Sequence, residues 1–218
     1  MTIILLTTTI HTQHKLALRE VNSLERILTY TNCLSRWLEN TNFRIVVVEN
    51  TGHTFSEWNH WREKYQDRLE IIYFRESELE EASYLVGNDS KGASEMFAIH
   101  YAYMHSKWIR DENFVIKVTG RFFIPGLEAF LQTVDMNQYD GLTQNNKDRC
   151  QMVGASISQF PIFFNPYLIN KDGEYDGHVE NIFKERMESF SQDRILTCPN
   201  FEIEPTLEGG GPVVFYII

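Results

Sequence analysis

Short apolar runs separated by longer stretches of mixed polarity set the rhythm of this chain. Ile3 to Thr8 is apolar without a break until its threonines, which predicts a first strand buried on both faces. Phe43 to Val48, Leu69 to Phe74 and Phe114 to Val118 repeat the pattern and predict three more strands. Between them the apolar spacing changes to that of a helix. Leu24, Ile27, Leu28, Thr31, Leu34 and Leu38 recur on one face, and Ala93 to His105 offers Met96, Phe97, Ile99, His100 and Tyr103 for packing. Strand alternating with helix predicts an α/β fold with a mainly parallel central sheet and helices on both faces.

After a short helix at Leu127 to Val134 the pattern becomes less regular. Tyr139 to Thr143, Met152 to Ser158, Ile195 to Cys198 and Phe201 to Ile203 read as strands, and Val179 to Phe190 as a helix. Phe160 to Ile169 is rich in aromatics but interrupted by Pro161 and Pro166. The apolar end, Val213 to Ile218, is either a closing strand or the stub of a longer chain. No linker composition separates the halves, so residues 1–218 are expected to form a single domain, with 1–130 on one side of its site and 131–218 on the other.

Composition narrows the function. The 218 residues are 43% hydrophobic, 23% charged and 13% aromatic, with a formal net charge of -10. That charge disfavours a nucleic-acid partner and a basic docking patch for anionic lipid. Cys33, Cys150 and Cys198 are odd in number and widely spaced, which argues against a zinc site and for a reducing, cytoplasmic setting. Met1 to Ile10 lacks the basic start and long apolar run of a signal peptide, and no run is long enough for a transmembrane segment.

Open α/β sheets bind ligands beyond the carboxyl ends of their strands. The first strand delivers Thr7, Thr8 and Thr9 there, the second Glu49 and Asn50, and the fourth Lys117, Thr119, Gly120 and Arg121. Lys91 and Gly92 open the helix that precedes the fourth strand. In this layout the chain resembles the nucleotide-sugar glycosyltransferases of the GT-A kind, with a single Rossmann-like domain. The resemblance spans roughly the first 130 residues. It implies that Thr7, Thr8, Thr9, Glu49, Lys91, Gly92, Lys117, Thr119, Gly120 and Arg121 bind a nucleotide-sugar donor, and that a glycan or glycoconjugate supplies the acceptor hydroxyl.

One departure from the family is plain. Its metal-binding Asp-x-Asp at the end of the fourth strand is replaced by Thr119-Gly120-Arg121. A guanidinium makes bidentate bonds to phosphate oxygens and takes over part of a cation's task, so no metal ligand is assigned, although a divalent Mn or Mg ion remains compatible with nearby acids. A second cluster, Asp176, His178 and Glu180, stands at a helix start where the family often carries its catalytic base. Asp176 also suits a helix N-cap.

Neighbouring classes lack their signatures. The first strand is followed by Thr-Thr-Thr-Ile-His, not by the Gly-x-Gly-x-x-Gly of a nicotinamide enzyme or the Gly-Lys-Ser/Thr of a P-loop. The glycine- and arginine-bearing N-terminal loop of a sugar nucleotidyltransferase is missing as well. Trp58 and Trp61 read as packing residues, Glu76 to Glu81 as a solvated acidic face, and Gly209 to Gly211 as a loop. A glycosyltransferase is the expectation; the alternative is a non-catalytic binding or scaffold domain on the same fold.

Overall fold

Seven strands share one sheet in the order β3-β2-β1-β4-β6-β5-β7. They are β1 (Thr2–Thr8), β2 (Arg44–Glu49), β3 (Leu69–Tyr73), β4 (Phe114–Thr119), β5 (Gly141–Thr143), β6 (Met152–Ser156) and β7 (Ile195–Thr197). The computed structural model describes residues 2–12, 22–207 and 213–218, so the run Gly209 to Gly211 lies outside the described residues. β1 pairs in parallel with β2 and β4, and β2 with β3. β6 alone runs against its neighbours β4 and β5, and β5 pairs in parallel with β7. Strands from both halves of the sequence thus join at the β4–β6 pair. A separate antiparallel hairpin joins β8 (Glu202–Leu207) to β9 (Val214–Ile217).

The central strands are apolar on both faces because both are covered. On one face Ile4, Leu6, Ile45, Val47, Ile116 and Val118 pack with Leu34, Trp37 and Leu38 of α1 (Ser23–Asn40). On the other, Ile3, Leu5, Val46, Val48 and Val115 pack with Met96, Phe97 and Ile99 of α3 (Lys91–His105). The smaller helices are α2 (Asn59–Lys64), α4 (Leu127–Leu131), α5 (Phe160–Phe163) and α6 (Val179–Glu188). Trp37 is fully buried, and its indole N–H donates to the Phe122 carbonyl at 3.0 Å, tying α1 to the segment that follows β4.

Two details differ from the sequence expectation, and a third, the proline-broken aromatic stretch, is left open by it. The inward face of α1 is Arg26, Tyr30, Cys33, Leu34, Trp37 and Leu38, while Leu24 and Leu28 stand 65% and 61% exposed. The helix meets the sheet about one residue out of phase with its leucine stripe, because Trp37 and Tyr30 bury more area than two leucines. The proline-broken stretch after β6 is core, since Phe160, Phe163 and Phe164 are all fully buried. The acidic run Glu76 to Glu81 is not wholly solvent-facing. It forms 3-10 turns, and Glu76 accepts from the Ser94 hydroxyl at 3.0 Å. Trp58 is buried and stacked on Phe55, with Trp61 partly buried beside it. Among the described residues, no helix is long and apolar enough to cross a membrane.

Candidate functional site

A cleft of about 890 Å³ opens at the carboxyl ends of β1, β2 and β4. Its floor is made of strand tips, and most of the polar groups there are locked to one another. Glu49 is completely buried and works as a clamp. One carboxylate oxygen accepts from the Ile10 N–H at 3.0 Å and from the Thr51 hydroxyl, the other from the N–H groups of Thr51 at 2.9 Å and His53 at 2.8 Å. Next to it Thr9 donates through its hydroxyl to the Asn50 side chain at 2.8 Å. Arg26 donates to the Thr9 carbonyl at 2.5 Å and to the Tyr30 hydroxyl at 2.9 Å.

A second lock lies under β4. Lys117 is fully buried, and its ammonium bonds the Glu95 carboxylate at 2.8 Å, the Thr119 hydroxyl at 3.1 Å and the Cys150 carbonyl at 2.9 Å. Three donors meet three acceptors, which is what makes a buried ammonium tolerable. Glu95 also accepts from the Thr7 hydroxyl at 2.6 Å, so this network joins the tips of β1 and β4 to α3. Gly120 completes the junction. Its N–H donates to the Thr7 carbonyl at 2.9 Å, and a Cβ there would sit 2.6 Å from that same oxygen.

Arg121, next along the chain, behaves differently. It is half-buried in the cleft wall and makes no hydrogen bond or ion pair among the described residues, its Nε being buried without a partner. In a chain of net charge -10 this is a cation left to the cleft. Gln151 also lines the cleft with a buried, unpartnered Oε1. It precedes β6, whose reversed direction brings its beginning to the same edge as the end of β4.

The far wall combines α3, α6 and the loops before them. Ser90 caps α3 by accepting from the Ala93 N–H at 3.2 Å and donates to the Gly177 carbonyl at 2.7 Å. Gly92 lies against Val179, where a Cβ would approach within 2.5 Å of the valine Cβ. Glu180, in the first turn of α6, reaches the cleft beside Cys150. Burial chiefly, with help from the Glu95 and Glu180 carboxylates and against the pull of Lys117, pushes the Cys150 thiol well above its ordinary range, so it stays protonated.

The sequence-predicted residues therefore divide. Thr7, Thr8, Thr9, Lys91, Thr119, Arg121 and Glu180 line the cleft. Glu49, Lys117, Gly92 and Gly120 stand behind its surface and shape it. Asp176 accepts from the Asn181 amide at 2.9 Å and from the His178 N–H at 2.8 Å, which holds its carboxyl below the usual range and fastens the start of α6. His178 is exposed at the helix end, and neither it nor Asp176 is part of the cleft lining. Asp89 lines it too, and sequence reading missed Glu76, Glu95, Gln151 and Phe215, which also do. Glu95 carried a signal, since it follows Lys91 by four residues and so shares its helix face. Carboxylates are plentiful here, yet among the described residues no three His, Cys, Asp or Glu side chains converge as a metal cage.

No family model and no curated protein matches the chain. Solved structures do. The bifunctional glycosyltransferase WbbM aligns with a TM-score of 0.54 at 8% identity, covering 90% of this chain and 38% of that one. An active-site mutant of LgtC aligns with a TM-score of 0.51 at 8% identity, covering 89% of this chain and 72% of that one. A cytidylyltransferase from Leptospira borgpetersenii stands further off, with a TM-score of 0.44 at 15% identity over 91% of this chain and 76% of that one. At such identities the likeness is one of fold: the chain has the α/β sheet architecture of the GT-A glycosyltransferases, as its layout of strands and helices implies.

Proposed function

We propose that this chain is a glycosyltransferase that moves a sugar from a nucleotide-sugar donor to a hydroxyl of a glycan or glycoconjugate. The observation that carries the reading is Arg121, a half-buried guanidinium facing the cleft with no protein partner among the described residues. Holding a cation away from so many carboxylates makes physical sense where an anionic ligand completes its bonding. The donor's nucleoside would lie over Thr8, Thr9 and Asn50, and its diphosphate between Arg121 and the N-terminal end of α3, where the Lys91 charge and the helix dipole favour anions.

In the reaction the bond from the anomeric carbon to the phosphate oxygen breaks and the acceptor oxygen bonds to that carbon. The leaving diphosphate gains negative charge as this happens. A preorganised guanidinium stabilises that charge more in the transition state than in the ground state. Glu180 would take the acceptor's proton, its carboxylate held beside the neutral Cys150 thiol. A Mn or Mg ion brought in with the diphosphate would find Asp89 and Glu76 on the cleft wall. The bond-forming steps assigned to the protein's own residues do not run through it.

Replacement of Asp-x-Asp by Thr119-Gly120-Arg121 also suits a second reading, a scaffold domain that binds nucleotide sugars without turning them over. One experiment addresses both: transfer or donor hydrolysis with UDP, GDP and CMP sugars, with excess chelator or with manganese, for wild type, Arg121→Ala and Arg121→Lys. The expected outcome is activity that survives chelation, falls about a hundredfold or more in Arg121→Ala, and returns in part in Arg121→Lys, since an ammonium lacks the bidentate fork. Wild type silenced by chelator together with a normal Arg121→Ala in manganese would overturn the role of Arg121. Nucleotide-sugar binding without turnover in any condition would favour the scaffold.

A further inference from the structure

Beyond the cleft, its far wall continues into a surface of exposed tyrosines. Tyr84, Tyr167 and Tyr175 are 36%, 53% and 53% exposed, large values for side chains that usually bury their rings. They are not loose. The Tyr84 hydroxyl donates to the Pro166 carbonyl at 3.2 Å, and its ring lies 5.0 Å from that of Tyr167. The Tyr175 hydroxyl donates to the Asn88 side chain at 3.0 Å, and Asn88 itself lines the cleft. The hydroxyls hold the Tyr84 and Tyr175 rings, Tyr167 leans on Tyr84, and ring surface is left facing solvent. The rim is thus continuous with the cleft and fixed before any ligand arrives.

We propose that this tyrosine rim is the binding platform for an extended neutral saccharide, the non-reacting part of the acceptor. The inference rests on the glycosyltransferase reading and deepens it by naming the acceptor as a glycan chain. Sugar rings present C–H faces that stack on aromatic rings and hydroxyls that seek acceptors. The rim supplies both, because the exposed carboxylates of Asp172 and Glu174 lie in the same loop as Tyr175. Those carboxylates and the net charge of -10 work against an anionic lipid surface or a nucleic acid. Pre-ordered tyrosines also lose little conformational entropy on binding.

The test is saturation-transfer NMR with maltose, cellobiose, lactose, chitobiose and their longer linear homologues, on wild type, Tyr167→Phe and the Tyr167→Ala/Tyr175→Ala double variant. Tyr84 is left intact because its hydroxyl braces the loop. Binding that tightens with chain length, survives in Tyr167→Phe and weakens about tenfold or more in the double variant is expected from the loss of two stacking faces. Failure of every saccharide to bind wild type, or equal binding by the double variant, would overturn the proposal. So would sedimentation showing a wild-type dimer that the double variant abolishes, which would assign the rim to a second copy of the chain. Thermal stabilisation by UDP, GDP and CMP sugars, measured on the same proteins, is expected to be unchanged by the rim substitutions. If no nucleotide sugar stabilises wild type while saccharides still bind the rim, the donor reading falls and the platform stands.

Discussion

The floor of the cleft and its rim are built on opposite plans. At the floor, Glu49 and Lys117 are fully buried charges, and the hydrogen bonds around them join β1, β2, β4 and α3. At the rim, tyrosines stand partly in solvent; Tyr84 and Tyr175 are each held by a single hydroxyl bond, and Tyr167 by its ring contact with Tyr84. A floor of this kind is rigid, because moving one group would strand several others without partners in a dry setting. A rim of this kind is less constrained: changing the identity of one ring strands at most one hydroxyl bond. The contrast suits a transferase in which one substrate has a constant nucleotide and the other varies.

The largest expected effect tests the floor. Glu49→Ala strands the Ile10, Thr51 and His53 N–H groups, and should lower unfolding free energy by about 3 kcal/mol or more in urea titration. A loss under about 1 kcal/mol would mean that the clamp is not essential to the strand tips. Next comes Glu180→Gln, which sits between the two regions. It should reduce transfer about a hundredfold, as loss of a general base does, with nucleotide-sugar affinity unchanged. Equal loss in both quantities would move Glu180 from chemistry to binding.

The smallest effect lies away from both regions and sets the scale. Arg194 makes two bonds to Asp140, at 2.5 Å and 2.8 Å, and these hold the carboxyl below its ordinary 3.8. A depressed acid stabilises the fold above its unfolded value, and that contribution is lost as pH falls through the folded value. Because both partners are partly exposed, Asp140→Asn should cost only about 0.5 kcal/mol at neutral pH. In acid below the lowered value the variant and wild type should unfold alike. A difference that persists there would mean that the pair acts through packing instead of charge.

How much of this was legible in the sequence follows from the same contrast. Ile3 to Leu6, Ile45 to Val48 and, interrupted only by Lys117, Val115 to Val118 announced the sheet, because a strand covered on both faces needs a near-continuous apolar run. The cleft's edge followed from the strand-end rule, which brought Thr7, Thr119 and Arg121 together. The rule does not say which way each side chain turns. Lys117 and Glu49 sit at strand ends but turn into the body of the protein, where partners from α3 and the turn after β2 await them. Glu76 stood only three residues past β3 and was hidden by its acidic neighbours. Gln151 and Phe215 reach the cleft through β6 and the β8–β9 hairpin, pairings that local periodicity cannot supply.

Gly120 has a consequence for anyone who maps this chain by saturation mutagenesis. With 2.6 Å between its absent Cβ and the Thr7 oxygen, every side chain, alanine included, would force β1 and β4 apart at their tips. A tolerance map scored on activity should therefore show a column of failures at position 120 as deep as any at a reacting group. A screen scored on expression alone would register the same substitutions, and would leave Arg121, one residue later, almost unmarked. Two adjacent columns that agree in one screen and part in the other would separate the residue that fixes a distance from the residue that meets a ligand.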